Sequence, residues 1–173
     1  MNAPDMAPDA SLRPPPAAGV PHPRPFGIAL RPHAGGLSPS VAHVSNVEYV
    51  RWIDRAAELH ADSLGHARAA VADAGHAWFV ARHEVDYRAE AFPGDSLEAY
   101  TWVTSMERTT CVRETLVWRP RDARVVCRAR TRWAFVDLAT RRPARVPPDM
   151  RAAFDPLEPA ACTSRSSSTP TGS

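Results

Sequence analysis

The feature that most constrains this chain is a change of hydrophobic period. From Ser45 to Gly65, Val47, Val50, Ile53, Ala57 and Leu64 recur at helical spacing, and Gly65 follows as a stop. Ser45 and Glu48 have the S-x-x-E spacing of a capping box, which makes Ser45 the predicted N-cap. A short second helix is predicted over 67–74. Beyond it the period becomes two, in AWFVARHEVDYRAE, SLEAYTWVTSMERT, TCVRETLVWRP and RVVCRARTRWAFVDL. In the last, Cys127, Ala129, Thr131, Trp133 and Phe135 share one face, and Arg128, Arg130 and Arg132 share the other. The turns between strands are PGD at 93–95 and PRDA at 120–123. PFGIALRP reads as a first strand, and RRPARVPPDMRAAF as a loop with a terminal helical turn. One strand, one long helix and four consecutive strands predict an α+β domain, an antiparallel sheet with the helix on one face.

The remaining sequence sets the boundaries. Residues 1–24 hold PPP and repeated Ala-Pro, and read as a disordered arm; 25–159 form the domain, and 160–173 a Ser/Thr-rich disordered tail. Hydrophobic content of 44% with 23% charged residues is that of a globular protein. No apolar run reaches the roughly 18 residues of a membrane span, and the N-terminus lacks a signal-peptide core, so a cytoplasmic location without a membrane partner is expected. All 21 basic residues are arginine and are spread along the chain; a net charge of +2 gives no reason to expect nucleic acid. Cys111, Cys127 and Cys162 form no CxxC pair and no zinc spacing, so neither metal nor cofactor is predicted.

Ahead of the long helix lies PSVAHVSNVEYVRWID, and its His43, Val44, Asn46, Tyr49, Arg51 and Trp52 carry a resemblance. The sequence resembles the hotdog-fold acyl-CoA thioesterases of the 4-hydroxybenzoyl-CoA thioesterase family, which commonly show D-x-x-G-H-V-N-N-x-x-Y-x-R-W at this point. HEVDYRAEAFPGDSLEAYTWV and WAFVDLATRRPARVPPDM resemble later strands and the proline-rich exit of that family, so the likeness spans about Phe26 to Phe154. It implies a sheet wrapped around the helix, a homodimer or dimer of dimers with active sites at the subunit boundary, and an acyl thioester of coenzyme A or a carrier protein as substrate. The chain departs from the pattern at Ala42, Ser45 and Pro39. Pro39 stands where the family has its catalytic aspartate, and no acid occurs between Asp9 and Glu48.

Thioester hydrolysis needs a polarised carbonyl, an attacking water and room for the thiol. Backbone amides at a helix N-terminus are unpaired and carry the positive end of the dipole. Those of Asn46 and Val47 are the candidate oxyanion donors, unless capping merely satisfies them. His43 is either a general base or a hydrogen-bonded structural residue. Asn46 either holds the lytic water or caps. Ser38 and Ser40 flank Pro39 and can hold a water or substrate oxygen. Asp54 and Glu58 lie too far along the helix from Asn46, eight residues being about 12 Å; Glu48 is expected to be occupied in capping. Glu84 or Asp86 of a partner chain are further substitutes for the absent acid. Tyr49 and Trp52 line an acyl pocket or belong to the core. Arg141, Arg142 and Arg145 meet coenzyme A phosphates or simply face solvent. Two readings stand: a thioesterase working without the usual aspartate, and a weak or inactive hotdog subunit that binds an acyl thioester or pairs with an active relative. A hydratase of the same fold ranks last, for want of an acid–base pair.

Overall fold

The computed structural model describes residues 6–157. Its elements in chain order are β1 (Met6–Pro8), β2 (Phe26–Leu30), α1 (Asn46–Ser63), α2 (Arg68–Asp73), β3 (His76–Tyr87), β4 (Leu97–Met106), β5 (Thr110–Arg119), β6 (Arg124–Asp137) and α3 (Pro148–Ala153). All strand pairs are antiparallel, in the order β1-β2-β4-β5-β6-β3. The predicted strands, helices and turns are all present. Gly94, at φ +87 in the PGD turn, and Ala123, at φ 52 after PRD, supply the left-handed residues those turns need.

The sheet's inner side closes on α1. Its buried stripe is Tyr49, Trp52, Ile53, Ala56 and Leu59, packed on Ile28, Leu30, Leu97, Ala99, Val117, Cys127 and Ala129, with Ala57 in a second cluster with Val103, Met106 and Trp133. Each large apolar side chain so buried contributes about 1.5–3 kcal/mol. The stripe is rotated from the predicted one. Val47 is 56% exposed, because it lies on the side of the helix away from the aromatic pair Tyr49–Trp52, which takes the core positions. On β6, Cys127, Ala129, Thr131, Trp133 and Phe135 are all buried, as the alternation requires.

Residues 6–24 correct the expectation of a disordered arm. Met6–Pro8 pairs with Ile28–Leu30 as an additional edge strand. Leu12, Ala18 and Val20 then cover the outer side of the sheet, packing on Tyr100, Trp102, Leu116 and Trp118. Proline is tolerated in a ladder only at an edge, where Pro8 lies, and strands β4 and β5 present an aromatic outer face that needs a cover. Residues 1–5 and the expected tail 160–173 lie outside the described residues.

Beyond β1, the opposite edge of the sheet is β3. It carries a bulge between Val80 and Arg82, which moves the inward-facing set from Trp78 and Val80 to His83, Val85 and Tyr87. Phe79, Val80 and Tyr87 are large apolar side chains left exposed along it.

Candidate active site

The site is built around the start of α1. Ser45 is extended, at φ −70 and ψ 151, and its hydroxyl accepts the Glu48 amide at 3.3 Å, as an N-cap does. The Ser45 amide donates to the Gly36 carbonyl at 2.8 Å. Among the described residues the amides of Asn46 and Val47 have no acceptor, and both residues are exposed. The helix mouth is open. Ahead of it, Leu37 and Val44 form a bridge, and the Ser38 amide donates to the His43 carbonyl at 2.8 Å. This places Pro39, Ser40, Val41 and Ala42 at an exposed tip, with the Ser40 amide 3.4 Å from the Ser38 hydroxyl.

His43, half-buried beside the mouth, has Nδ1 3.2 Å from a carboxylate oxygen of Glu90. Glu90 follows β3, and sequence reasoning missed it. Its backbone is fixed by Arg119, a buried residue that donates to the Glu90 carbonyl at 2.7 Å and to Asp95 and Asp122. The Val44 amide donates to the Ala91 carbonyl at 2.9 Å, tying the His43 loop to the same segment. With Nδ1 turned to a carboxylate, Nε2 is the imidazole nitrogen left for proton transfer.

Glu48 does not act as the expected capping partner. It is buried under the loop, 3.1 Å from Arg51 and 3.6 Å from His33, and Gly36 makes room for it: a Cβ there would sit 2.7 Å from Glu48 Cγ. Tyr49 belongs to the core. Its hydroxyl donates to the Ala89 carbonyl and accepts the Ala91 amide at 3.1 Å, and burial raises its pKa to about 12. Glu84 and Asp86 register with Arg130 and Arg128 on the outward face of the sheet, and pair with Arg82 and Arg88. That face is turned away from α1. Arg141, Arg142 and Arg145 are exposed and lie on the segment after β6, where the Arg142 carbonyl accepts the Asp137 amide. Among the described residues no hydrogen bond or ion pair joins their side chains to the helix mouth.

Asp54 and Glu58 line a cavity of about 410 Å³ between α1, α2 and the beginning of β3. Its walls are mostly apolar, with Val71, Trp78, Met106, Cys111, Trp133 and Phe154 among them. Asp54 is engaged by Arg68 at 2.7 Å and Glu58 by Arg55. Among the described residues no group of His, Cys, Asp and Glu is arranged to hold a metal ion.

A six-stranded antiparallel sheet around one long helix, with an open helix mouth against the sheet, defines a hotdog domain. The chain belongs to the thioesterase-like superfamily, whose family model matches residues 40–154. It is similar to a solved 1,4-dihydroxy-2-naphthoyl-CoA thioesterase from Synechocystis: TM-score 0.71, 18% identity, over 79% of this chain and 99% of that one. A DHNA-CoA thioesterase from Staphylococcus aureus superimposes with TM-score 0.68 at 17% identity, over 75% of this chain and 87% of that one. An acyl-ACP thioesterase from Bacteroides thetaiotaomicron does so with TM-score 0.67 at 18% identity, over 78% of this chain and 54% of that one. At these identities the likeness is one of fold. None of the curated proteins compared with the sequence matches it. Among the described residues no helix is long and apolar enough to cross a membrane.

Proposed function

We propose that the protein hydrolyses an acyl thioester of coenzyme A or a carrier protein by direct attack of water. The observation that carries this reading is the open N-terminus of α1, with the free amides of Asn46 and Val47, beside the His43–Glu90 pair. In this reading the two amides receive the carbonyl oxygen as it becomes an oxyanion, a contribution of about 3 kcal/mol per well-placed donor. Water adds its oxygen to the carbonyl carbon and gives a proton to His43 Nε2. The carbon–sulfur bond then breaks, His43 returns the proton to the departing thiolate, and the products are a carboxylic acid and a thiol. Asn46 holds the water, Ser40 borders the bound substrate, and Arg142 and Arg145 of a neighbouring subunit meet coenzyme A phosphates. Glu90 orients His43 and takes over part of the task of the acid absent at Pro39.

The reading includes a homodimer formed by the exposed β3 edges, and a cytoplasmic location. Two antiparallel copies of β3 about a two-fold axis set the Tyr87 end of one strand beside the partner's Ala77–Val80 end. The Tyr87 hydroxyl donates to the Asn46 carbonyl at 3.4 Å, and Ala77, Trp78, Phe79 and Val80 line the cavity. Such pairing therefore puts one subunit's helix mouth against its partner's cavity. The alternative, a subunit that binds thioesters without turning them over, draws on the proline at position 39.

Purified protein with a panel of short, long and aromatic acyl-CoAs, followed by free-thiol release, tests the proposal. Turnover that falls at least a hundredfold in His43→Gln supports it. Thermal stabilisation by acyl-CoA with no thiol released supports the alternative.

A further inference from the structure

Among the described residues, the inner side of the sheet carries a buried charge that takes no part in the proposed hydrolysis. Arg113 on β5 alternates with Cys111, Thr115 and Val117 on the face packed against α1, and is only 4% exposed. Its Nη1 lies 2.9 Å from His60 Nδ1 and donates to the Thr101 hydroxyl at 3.2 Å. The guanidinium also sits 5.4 Å from the ring centre of Phe154. His60, held neutral by burial and by the adjacent guanidinium, supplies no negative charge. Among the described residues no carboxylate forms an ion pair with Arg113, whose hydrogen bonds all run through Nη1. By contrast Asp54, Glu58 and Arg68, the other ionised side chains of the cavity wall, are each paired.

A buried guanidinium without a counter-charge costs several kcal/mol, and buried charges are as a rule paired. Arg113 lines the cavity, whose volume falls in the range for small organic ligands and whose remaining walls suit a ring or a short chain. We propose that this cavity takes the acyl group of the thioester, and that Arg113 on its wall binds a second carboxylate borne by that group. The preferred substrate class is thus the thioester of an acid that carries a second carboxylate. The proposal rests on the thioesterase reading for its substrate, but its charge recognition is a separate property. A guanidinium–carboxylate contact in such a dry site favours the acid-bearing ligand by about tenfold to a hundredfold.

The test uses two matched pairs of probes. In hydrolysis, 4-carboxybenzoyl-CoA is compared with 4-methylbenzoyl-CoA. In binding, 4-carbamoylbenzoate is compared with 4-methylbenzamide by calorimetry, which needs no turnover. The wild type should favour the acid-bearing member of each pair at least tenfold, through KM in the first and Kd in the second. In Arg113→Met the preference should collapse to near one, and Arg113→Lys should keep part of it. An equal response of the wild type to both members of the binding pair overturns the proposal, as does a preference that survives Arg113→Met. If Arg113→Met does not fold, the wild-type ratio and Arg113→Lys decide. Hydrolysis without preference sinks this inference and leaves the thioesterase reading standing. Selective binding without hydrolysis does the reverse.

Discussion

His43 and Glu90 meet at 3.2 Å although α1, α2 and β3 all lie between them in the chain. One comes from the loop that opens the helix and the other from the segment leaving the edge strand. In the proposed hydrolysis a carboxylate on Nδ1 would orient the ring and support the charge it acquires as a base. Glu90→Gln keeps the shape and removes the charge. It should lower kcat for acyl-CoA hydrolysis by about tenfold or more with KM little changed, and Glu90→Asp should recover part of the rate. A rate within twofold of wild type in Glu90→Gln would show that Glu90 is only a surface residue.

The oxyanion role of the helix mouth can be tested without disturbing the fold. Proline is well suited to the first helical position, and the extended ψ of 151 at Ser45 is what a following proline requires. Asn46→Pro removes the amide hydrogen and the side chain; Asn46→Ala removes the side chain alone. If the Asn46 amide is a donor, the proline variant should lose a further 10²–10³ in kcat relative to the alanine variant, with thermal stability nearly equal. Equal rates in the two variants would assign Asn46 a side-chain role only.

His60 makes stability depend on pH. Burial, helped by the neighbouring Arg113, lowers its pKa from 6.5 to about 3. The unfolded chain therefore takes up a proton near pH 6.5 that the folded chain refuses. The stability linked to the neutral ring is fully present above that pH, and is lost as pH falls from about 6.5 towards 3. Each pH unit in that window costs at most about 1.4 kcal/mol. Between pH 7 and about 4.5 the wild type should lose up to about 3 kcal/mol more than His60→Gln, read from urea unfolding midpoints. Parallel losses in the two proteins would show that the ring is not shielded as the structure indicates.

The sheet and α1 were legible because periods of two and 3.6 are local properties of the chain. So was the N-cap, since Ser45 and Glu48 lie one turn apart. Glu48 itself departs from its expected role: the capping box is a local option, and a tertiary one, the space left by Gly36, prevailed. Glu90 carried no local signal, because its meeting with His43 exists only once β3 has folded against β6. Arg113 did carry one. It is a charge on the Cys111–Thr115–Val117 face, and such a break in alternation is plain in the residues themselves. The N-terminal segment was unreadable for a different reason. Its prolines report what it cannot form, whereas its place depends on the aromatic face of β4 and β5 that it covers.

That cover yields a prediction of its own. Removing residues 1–24 deletes β1 and uncovers Tyr100, Trp102, Leu116 and Trp118, four large side chains otherwise buried. The shortened protein should unfold at a distinctly lower temperature and self-associate, with tryptophan emission shifted to the red. Unchanged emission and unfolding temperature would mean that the segment only rests on the sheet.

The β3 edge makes the oligomer testable through the site. Phe79 and Val80 are 44% and 40% exposed beside the bulge, where a lone chain has no reason to keep apolar groups on an unpaired edge. If two such edges join, Val80→Glu places a carboxylate near the two-fold axis and next to the Asp54 and Glu58 side of the cavity. Light scattering should then show a monomer where the wild type is a dimer. Hydrolysis should fall with dissociation, since each helix mouth would lose the partner's cavity. A monomeric wild type would rule out the shared site. A monomeric Val80→Glu that retains full activity would place the acyl group within a single chain.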